Sequence, residues 1–307
     1  MFFKNAYFFK LPHDFEINIE QLSIQLSKNA FVPCLPNALE SVGWTSVLGQ
    51  GSEFLYATQG KVLLTLAVQN KVLPPAVIKE RTDECIAEIE EKESRKLRKK
   101  ERDAVKEDVY TLLIPQAFTK TTTTRGYIDI EHRLLVIDSS SNQVIDLFTE
   151  FLRKTIGALP IESAQTDDPA LIMTQWLKSQ DYPESFVLHD QCTLKSDKGK
   201  NIATIKCSGH DLLSDNIKAF IGQGGVVTEV AMGWQDQIDF VLTEDLTIKS
   251  IKFLDIIKTA NLDIHTETQE DQLAADFIIM SESLSELIEE LLIILGFDDN
   301  ETGKIGS

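Results

Sequence analysis

The run Arg95-Lys96-Leu97-Arg98-Lys99-Lys100-Glu101-Arg102 puts six cations in eight positions of a chain whose net charge is −18. Guanidinium and ammonium groups at that density can neutralise a row of phosphates and release their counterions without reading a base. They can also form a solvated helix face laced with i,i+4 ion pairs, and Glu88, Glu91 and Glu101 stand where such pairs would form. The residues leave both readings open. A helix turns about 100° per residue. Lys92, Arg95, Lys99, Arg102 and Lys106 are therefore predicted to share one stripe, with Leu97, Ala104 and Val105 pointing elsewhere.

Other constellations are weaker. Lys120 and Arg125 flank Thr119 and Thr121 to Thr124. Hydroxyls beside cations suit contact with a phosphate backbone, though a polar edge strand looks the same. Phe118 precedes that run, and a large aromatic beside a polar segment is ordinarily a core anchor. At the tip of a projecting element it would instead insert into a partner subunit. His13, His132, His189, His210 and His265 show neither H-x-x-x-H nor H-E-x-x-H spacing, so no metal is expected. Neither a G-x-S-x-G elbow nor a Walker loop occurs. Gly222-Gln223-Gly224-Gly225 follows a predicted helix and precedes a strand, the reverse of a phosphate cradle, and reads as a helix C-cap and turn. Acid pairs such as Asp298-Asp299 lie on a tail, whereas a nuclease needs several carboxylates converging on metal. We expect no catalytic residue and no cofactor.

These groups need elements to hold them. The chain has 307 residues, 43% of them hydrophobic and 25% charged, enough for a sizeable core in one large domain or two. No apolar run approaches a membrane span, and Met1 to Phe9 reads as a strand rather than a leader. Cys34, Cys85, Cys192 and Cys207 lie far apart without a C-x-x-C pair, which predicts free thiols in a reducing cytoplasm. Asp263 to Glu301 holds 12 acids and no Lys or Arg, so the other 268 residues sum to only −6. A basic surface elsewhere is compatible with that distribution, and acid on the outside would repel nucleic acid from nonproductive faces.

Strands are predicted at Phe2 to Leu11, Phe54 to Ala57, Val62 to Val68, Phe118 to Ile130, Arg133 to Asp138, Phe186 to Leu194, Ile202 to Cys207, Val226 to Trp234, Ile238 to Leu242 and Ile248 to Phe253. Gly43-Trp44 to Gly51 reads as a loop. Helices are predicted over Ile19 to Phe31, 76–113, Asn142 to Ile156, Pro169 to Lys178, Leu212 to Ile221, Leu254 to Ala260 and Leu273 to Leu295. The segment 76–113 would span about 57 Å as one helix; its drifting apolar face favours two. Two strands followed by a helix recur without detectable sequence repetition. The expected fold is α+β: repeated strand-strand-helix units form antiparallel sheets with helices packed on them, and a helical arm projects. We expect residues 1–74 and 118–160 to form a central domain, 75–117 the arm, and 161–307 a second α+β domain ending in the acidic helix.

The chain resembles the RdgC family of recombination-associated proteins over nearly its full length. Phe3-Lys4-Asn5, Leu73-Pro74-Pro75-Ala76-Val77-Ile78-Lys79, Arg95-Lys96-Leu97, Leu113-Ile114-Pro115-Gln116-Ala117-Phe118, Val226-Val227-Thr228, Trp234 and Ala275-Asp276-Phe277-Ile278 carry the resemblance, in order and at matching intervals. It implies a ring-shaped homodimer closed at two contacts, with a positive hole for double-stranded DNA. It also implies binding with little sequence preference, restraint of the RecA recombinase by occupying DNA, and a place on the cytoplasmic nucleoid. Phe118 matches the family's aromatic at the arm-tip dimer contact, and Arg95 a basic position of the arm. Gln116 replaces an Arg, and Gly209-His210 replaces Lys-Gln, which shifts the expected DNA contact toward the arm. The expected DNA-binding set is Arg95, Lys96, Arg98, Lys99 and Arg102, with Lys4, Lys79 and Lys120 secondary. A module that binds a protein partner through its long helices is the alternative reading.

Overall fold

The computed structural model describes residues 2–47, 53–198, 201–209, 211–254 and 268–297. Eleven strands and seven α-helices are present among them, in two antiparallel sheets, so the α+β class holds. The first sheet contains β1 (Tyr7–Lys10), β2 (Glu40–Trp44), β3 (Leu55–Thr58), β4 (Lys61–Val72), β5 (Phe118–Asp129) and β6 (Leu134–Ile137). Its order is β1-β6-β5-β4-β2, with β3 paired to β4 around the Gln59-Gly60 turn. The second sheet contains β7 (Phe186–Lys198), β8 (Asn201–Ser208), β9 (Val226–Trp234), β10 (Ile238–Thr243) and β11 (Ile248–Phe253), in the order β11-β10-β9-β7-β8.

The chain divides into two compact units. One comprises Met1–Gln25, Ser46–Leu64 and Thr124–Ser307; the other comprises Leu26–Thr45 and Thr65–Thr123. The larger unit has a core to which both sheets contribute. Tyr127, Leu134 and Val136 enter it from the first sheet, and Met232, Trp234 and Ile238 from the second. Helix α7 (Gln269–Ile294) packs in this core with Phe277, Met280, Leu284, Leu287, Ile288, Leu291 and Leu292 all buried. Burial of a 26-residue helix on so many sides follows from its apolar residues not being confined to one stripe. Helix α4 (Asn142–Ile156) buries Ile145, Phe148 and Leu152 at helical spacing. Gly126 on β5 makes room for Phe148, since a Cβ there would come within 2.7 Å of the ring. The chain start pairs with β11, Ala6 N donating to Ile248 O at 2.8 Å and Ile248 N to Ala6 O at 2.9 Å. Helix α5 (Pro169–Ser179) is capped by Asp168. Helix α6 (Asp215–Gly222) ends at the predicted glycine turn, where Gly224 takes φ +93°.

In the smaller unit, Gly43 and Trp44, read as the start of a loop, end strand β2, which pairs with β4 from Glu40 to Trp44; 45–47 have no regular structure, and the rest of the expected loop lies outside the described residues. Gly43 marks a close backbone approach instead of a turn. A Cβ at Gly43 would lie 2.3 Å from Phe31 Cα and 2.5 Å from Phe31 N. Gly43→Ala is therefore expected to destabilise the protein by about 1–3 kcal/mol, because backbone must yield. Urea unfolding checks this, and an unchanged midpoint would show that the approach is not tight.

The helical region 76–113 is two helices, α2 (Pro75–Glu93) and α3 (Lys99–Leu113). Ser94 takes a left-handed conformation, φ 51°, and stops α2. Helix α1 spans Ile19–Lys28. The helix expected over Leu254 to Ala260 lies outside the described residues, apart from Leu254. No helix of the described residues is long and apolar enough to cross a membrane.

Candidate nucleic-acid interface

The break at Ser94 rearranges the cations. A single stripe from Lys92 to Lys106 would need one continuous helix. Arg95, Lys96 and Arg98 instead occupy the connection between α2 and α3, and Lys99 and Arg102 the first turns of α3. Leu97 is buried in that connection, which holds it against the helices, while the charged neighbours face solvent. Helix α3 turns back on α2, with Thr82 and Val109 buried on the two elements.

Two glutamates organise the turn. Glu90, 10% exposed, accepts from Lys96 Nζ at 2.6 Å, Leu97 N at 2.9 Å and Arg102 Nη2 at 3.0 Å. Glu101 accepts from both terminal nitrogens of Arg95, at 2.7 and 3.0 Å, and from Arg98 N at 2.7 Å. Arg95 also reaches Glu93 at 2.7 Å. The Lys96 ammonium and the Leu97 amide hold the Glu90 carboxyl down to about 2, and the Arg95 guanidinium and the Arg98 amide hold Glu101 there too. Arg98, Lys99, Lys100 and Lys106 are exposed and have no ion-pair partner among the described residues. Three of the predicted binders, Arg95, Lys96 and Arg102, are thus engaged by carboxylates, while Arg98 and Lys99 are not. Lys92 in the last turn of α2, Lys100 and Lys106 are likewise exposed and without an ion pair among the described residues. Charge density alone did not separate the two groups; the i,i+12 reach of Arg102 to Glu90 exists only once the chain reverses.

The clamp has a pH signature. Both carboxyls lie well below their ordinary 4.5, so the pairing they provide is complete above about pH 4.5 and is lost as pH falls through about 2. Carbon-13 titration of the glutamate carboxyls is expected to give midpoints near 2 for Glu90 and Glu101. Midpoints near 4.5 for these two would show that the clamp does not form.

The remaining predicted residues are dispersed. Lys79 is exposed on α2, about 20 Å along the helix from the turn by the 1.5 Å rise. Lys120 is exposed on β5, on the same strand face as Phe118 and Thr122. Lys4 belongs to the larger unit, where its backbone N donates to Asp138 Oδ1 and its side chain is exposed. Arg125 is half-buried and interacts with Asp138, so its guanidinium does not join the threonine run. Phe118 is 86% exposed, which overturns the core-anchor reading. The 3-10 turn Ile114–Gln116 buries Ile114 in its place and delivers Phe118 to the open start of β5. Gln116 is exposed, with its amide on Leu112 O at 3.3 Å; Gly209 takes φ +66°, and His210 lies outside the described residues.

Three acids of the C-terminal helix contact the rest of the larger unit. Glu282 binds Lys61 Nζ at 2.7 Å, and Glu290 accepts from Trp234 Nε1 at 2.6 Å and from Ser185 Oγ. Glu289 lies 3.8 Å from His132 Nε2. These anions fasten α7 to both sheets. The network behind them was not read from the sequence. Asp129, fully buried, accepts from Ser285 Oγ at 2.8 Å and His132 N at 3.0 Å, and lies 3.6 Å from Lys61 Nζ. Tyr127 and Ser285 share a hydrogen bond at 3.0 Å. Its one sequence signal is polar residues inside otherwise apolar strands. Among the described residues no three His, Cys, Asp or Glu side chains are grouped to hold a metal ion.

A family model described as "Putative exonuclease, RdgC" matches residues 1–298. Curated relatives named recombination-associated protein RdgC align over nearly their whole length. The protein of Aeromonas hydrophila is 35% identical across 97% of this chain and 99% of its own. That of Actinobacillus succinogenes is 36% identical across 96% and 97%, and that of Tolumonas auensis 35% across 98% and 100%.

Proposed function

This chain belongs to the RdgC family, and on that premise we propose that it is a sequence-nonspecific double-stranded DNA-binding protein. It acts as a ring-shaped homodimer on the nucleoid and limits access of the RecA recombinase to DNA. Residues 75–117 serve as the arm, and binding is electrostatic rather than catalytic. The observation that carries this reading is the set Arg98, Lys99, Lys100 and Lys106, exposed and without an ion pair over the start and first two turns of α3. These four can meet a phosphate without first giving up a carboxylate partner, whereas Arg95, Lys96 and Arg102 must exchange one.

The test is a gel shift with random-sequence duplexes at moderate salt, repeated with added Mg²⁺. Retardation independent of sequence supports the proposal. No retardation even at low salt favours a protein-binding module, and cleavage with Mg²⁺ would make the protein a nuclease.

Phe118 is the proposed dimer contact. Val72, Val77 and Leu112 are exposed apolar residues of the same unit, and Lys71 Nζ reaching Ala117 O joins the end of β4 to the approach to Phe118. Phe118→Ala is expected to weaken dimerisation by about 2 kcal/mol, the loss of a packed aromatic anchor. Sedimentation equilibrium reads this directly, and an unchanged dimer constant would remove Phe118 from the interface.

A further inference from the structure

The second sheet carries a thiol pair that distance along the chain conceals. Cys192 on β7 and Cys207 on β8 are directly opposed in the antiparallel register, so their side chains leave the same face. Opposed residues in such a ladder have Cα atoms about 4.5 or 5.5 Å apart. Both separations fall within the roughly 4.4–6.8 Å that a disulfide spans. Both cysteines are free, and their thiols already interact. Cys192 is part of the buried core, whereas Cys207 is half-buried at its margin. β8 ends the sheet, and its strand partner is β7.

We propose that Cys192 and Cys207 form a reversible oxidation site, which a small-molecule disulfide of the glutathione type converts into a cross-strand disulfide that rivets edge strand β8 to β7. Cys207, the more accessible sulfur, loses its proton to solvent and attacks one sulfur of the small disulfide. The S–S bond of the reagent breaks, and one thiolate leaves and is protonated. Cys192 then loses its proton and attacks the Cys207 sulfur of the mixed disulfide, expelling the second thiolate, which is protonated in turn. The two protein thiols are oxidised by two electrons, and one reagent disulfide is reduced to two thiols. Burial, reinforced by the neighbouring Cys207, pushes the Cys192 thiol up to about 12. Cys192 thus reacts slowly with reagents in solution, and it is the register setting it opposite Cys207 that favours its second, intramolecular step. Cys34, by contrast, donates its thiol to Gln69 O at 3.1 Å, and Cys85 sits on α2. Neither opposes another thiol among the described residues.

The experiment treats the folded full chain with oxidised glutathione, quenches with acid and maps peptides without reduction. The expected product joins the Cys192 and Cys207 peptides with a mass loss of about 2 Da, the two thiol hydrogens. Dithiothreitol is expected to restore the separate peptides. Cys192→Ser is expected to stop at one glutathione on Cys207. The proposal is overturned if wild-type protein keeps glutathione on Cys207 without closing the bridge. It is equally overturned if the pair reacts only after urea unfolding. The wild-type measurement stands whether or not the serine variant folds.

Discussion

Asp129→Ala is expected to lower the unfolding free energy by about 3–5 kcal/mol, the cost of breaking a buried ion pair by deleting one partner. Asp129 is 0% exposed and Lys61 2% exposed. Without the carboxylate, Ser285 Oγ, His132 N and His132 Nδ1 each lose a buried or half-buried acceptor. The Lys61 ammonium keeps only Glu282, which is itself partly in water. Because Ser285 belongs to α7, the loss loosens the helix that both sheets share. Burial works against the Lys61 charge, but the Glu282 hydrogen bond and the Asp129 charge outweigh it and hold its pKa above the ordinary 10.5. A raised lysine contributes stability that is complete below about pH 10.5 and is lost as pH rises through its folded value. The variant's deficit should therefore be constant through neutral pH and shrink only in strong alkali. Asp129→Asn, which keeps one acceptor oxygen but no charge, is expected to fall between wild type and alanine. Urea unfolding followed by tryptophan fluorescence measures all three. A loss below about 1 kcal/mol for alanine would show that the site relaxes to admit water.

The second large effect concerns DNA affinity. Each neutralised phosphate adds about 0.9 to the log–log salt slope, so four unpaired cations on each chain of a dimer give about −7. Replacing Arg98, Lys99 and Lys100 together by alanine is expected to remove about 5 of that slope, leaving about −2. These side chains are exposed and make no ion pair, so folding should be unaffected. Glu90→Gln with Glu101→Gln is the matched opposite. It releases Lys96, Arg102 and Arg95 from their carboxylates, and is expected to tighten binding and steepen the slope. Fluorescence anisotropy across a salt series reads both. A slope unchanged by the triple substitution would move the DNA contact away from the turn. Weaker binding by the glutamine pair, in a protein with unchanged helicity, would show that the carboxylates arrange the contact instead of competing with it.

Short-range physics made most of the fold legible in the sequence. Apolar runs marked β9, β10 and β11, Gly157 ended α4, Gln59-Gly60 turned β3 into β4, and the drifting apolar face over 76–113 anticipated the break between α2 and α3. Gly43 misled because a glycine's signal is the same whether it permits a turn or a close approach, and only the position of Phe31 distinguishes them. Phe118 misled because a large aromatic carries the same sequence signal whether buried or exposed, and only the fold leaves it 86% exposed while Ile114 is buried.

The sequence by itself determined the family, the α+β class and the place where cations are concentrated, since each of these is written in residue order and local periodicity. Tertiary structure alone decided which cations are unpaired, that Glu282 and Glu290 tie α7 to the sheets, that Asp129 and Lys61 meet, and that Cys192 faces Cys207. Each of those is a distance between residues remote in the chain. Coulomb energy, hydrogen bonding and thiol exchange depend on separation in space, which chain reversal and strand register set.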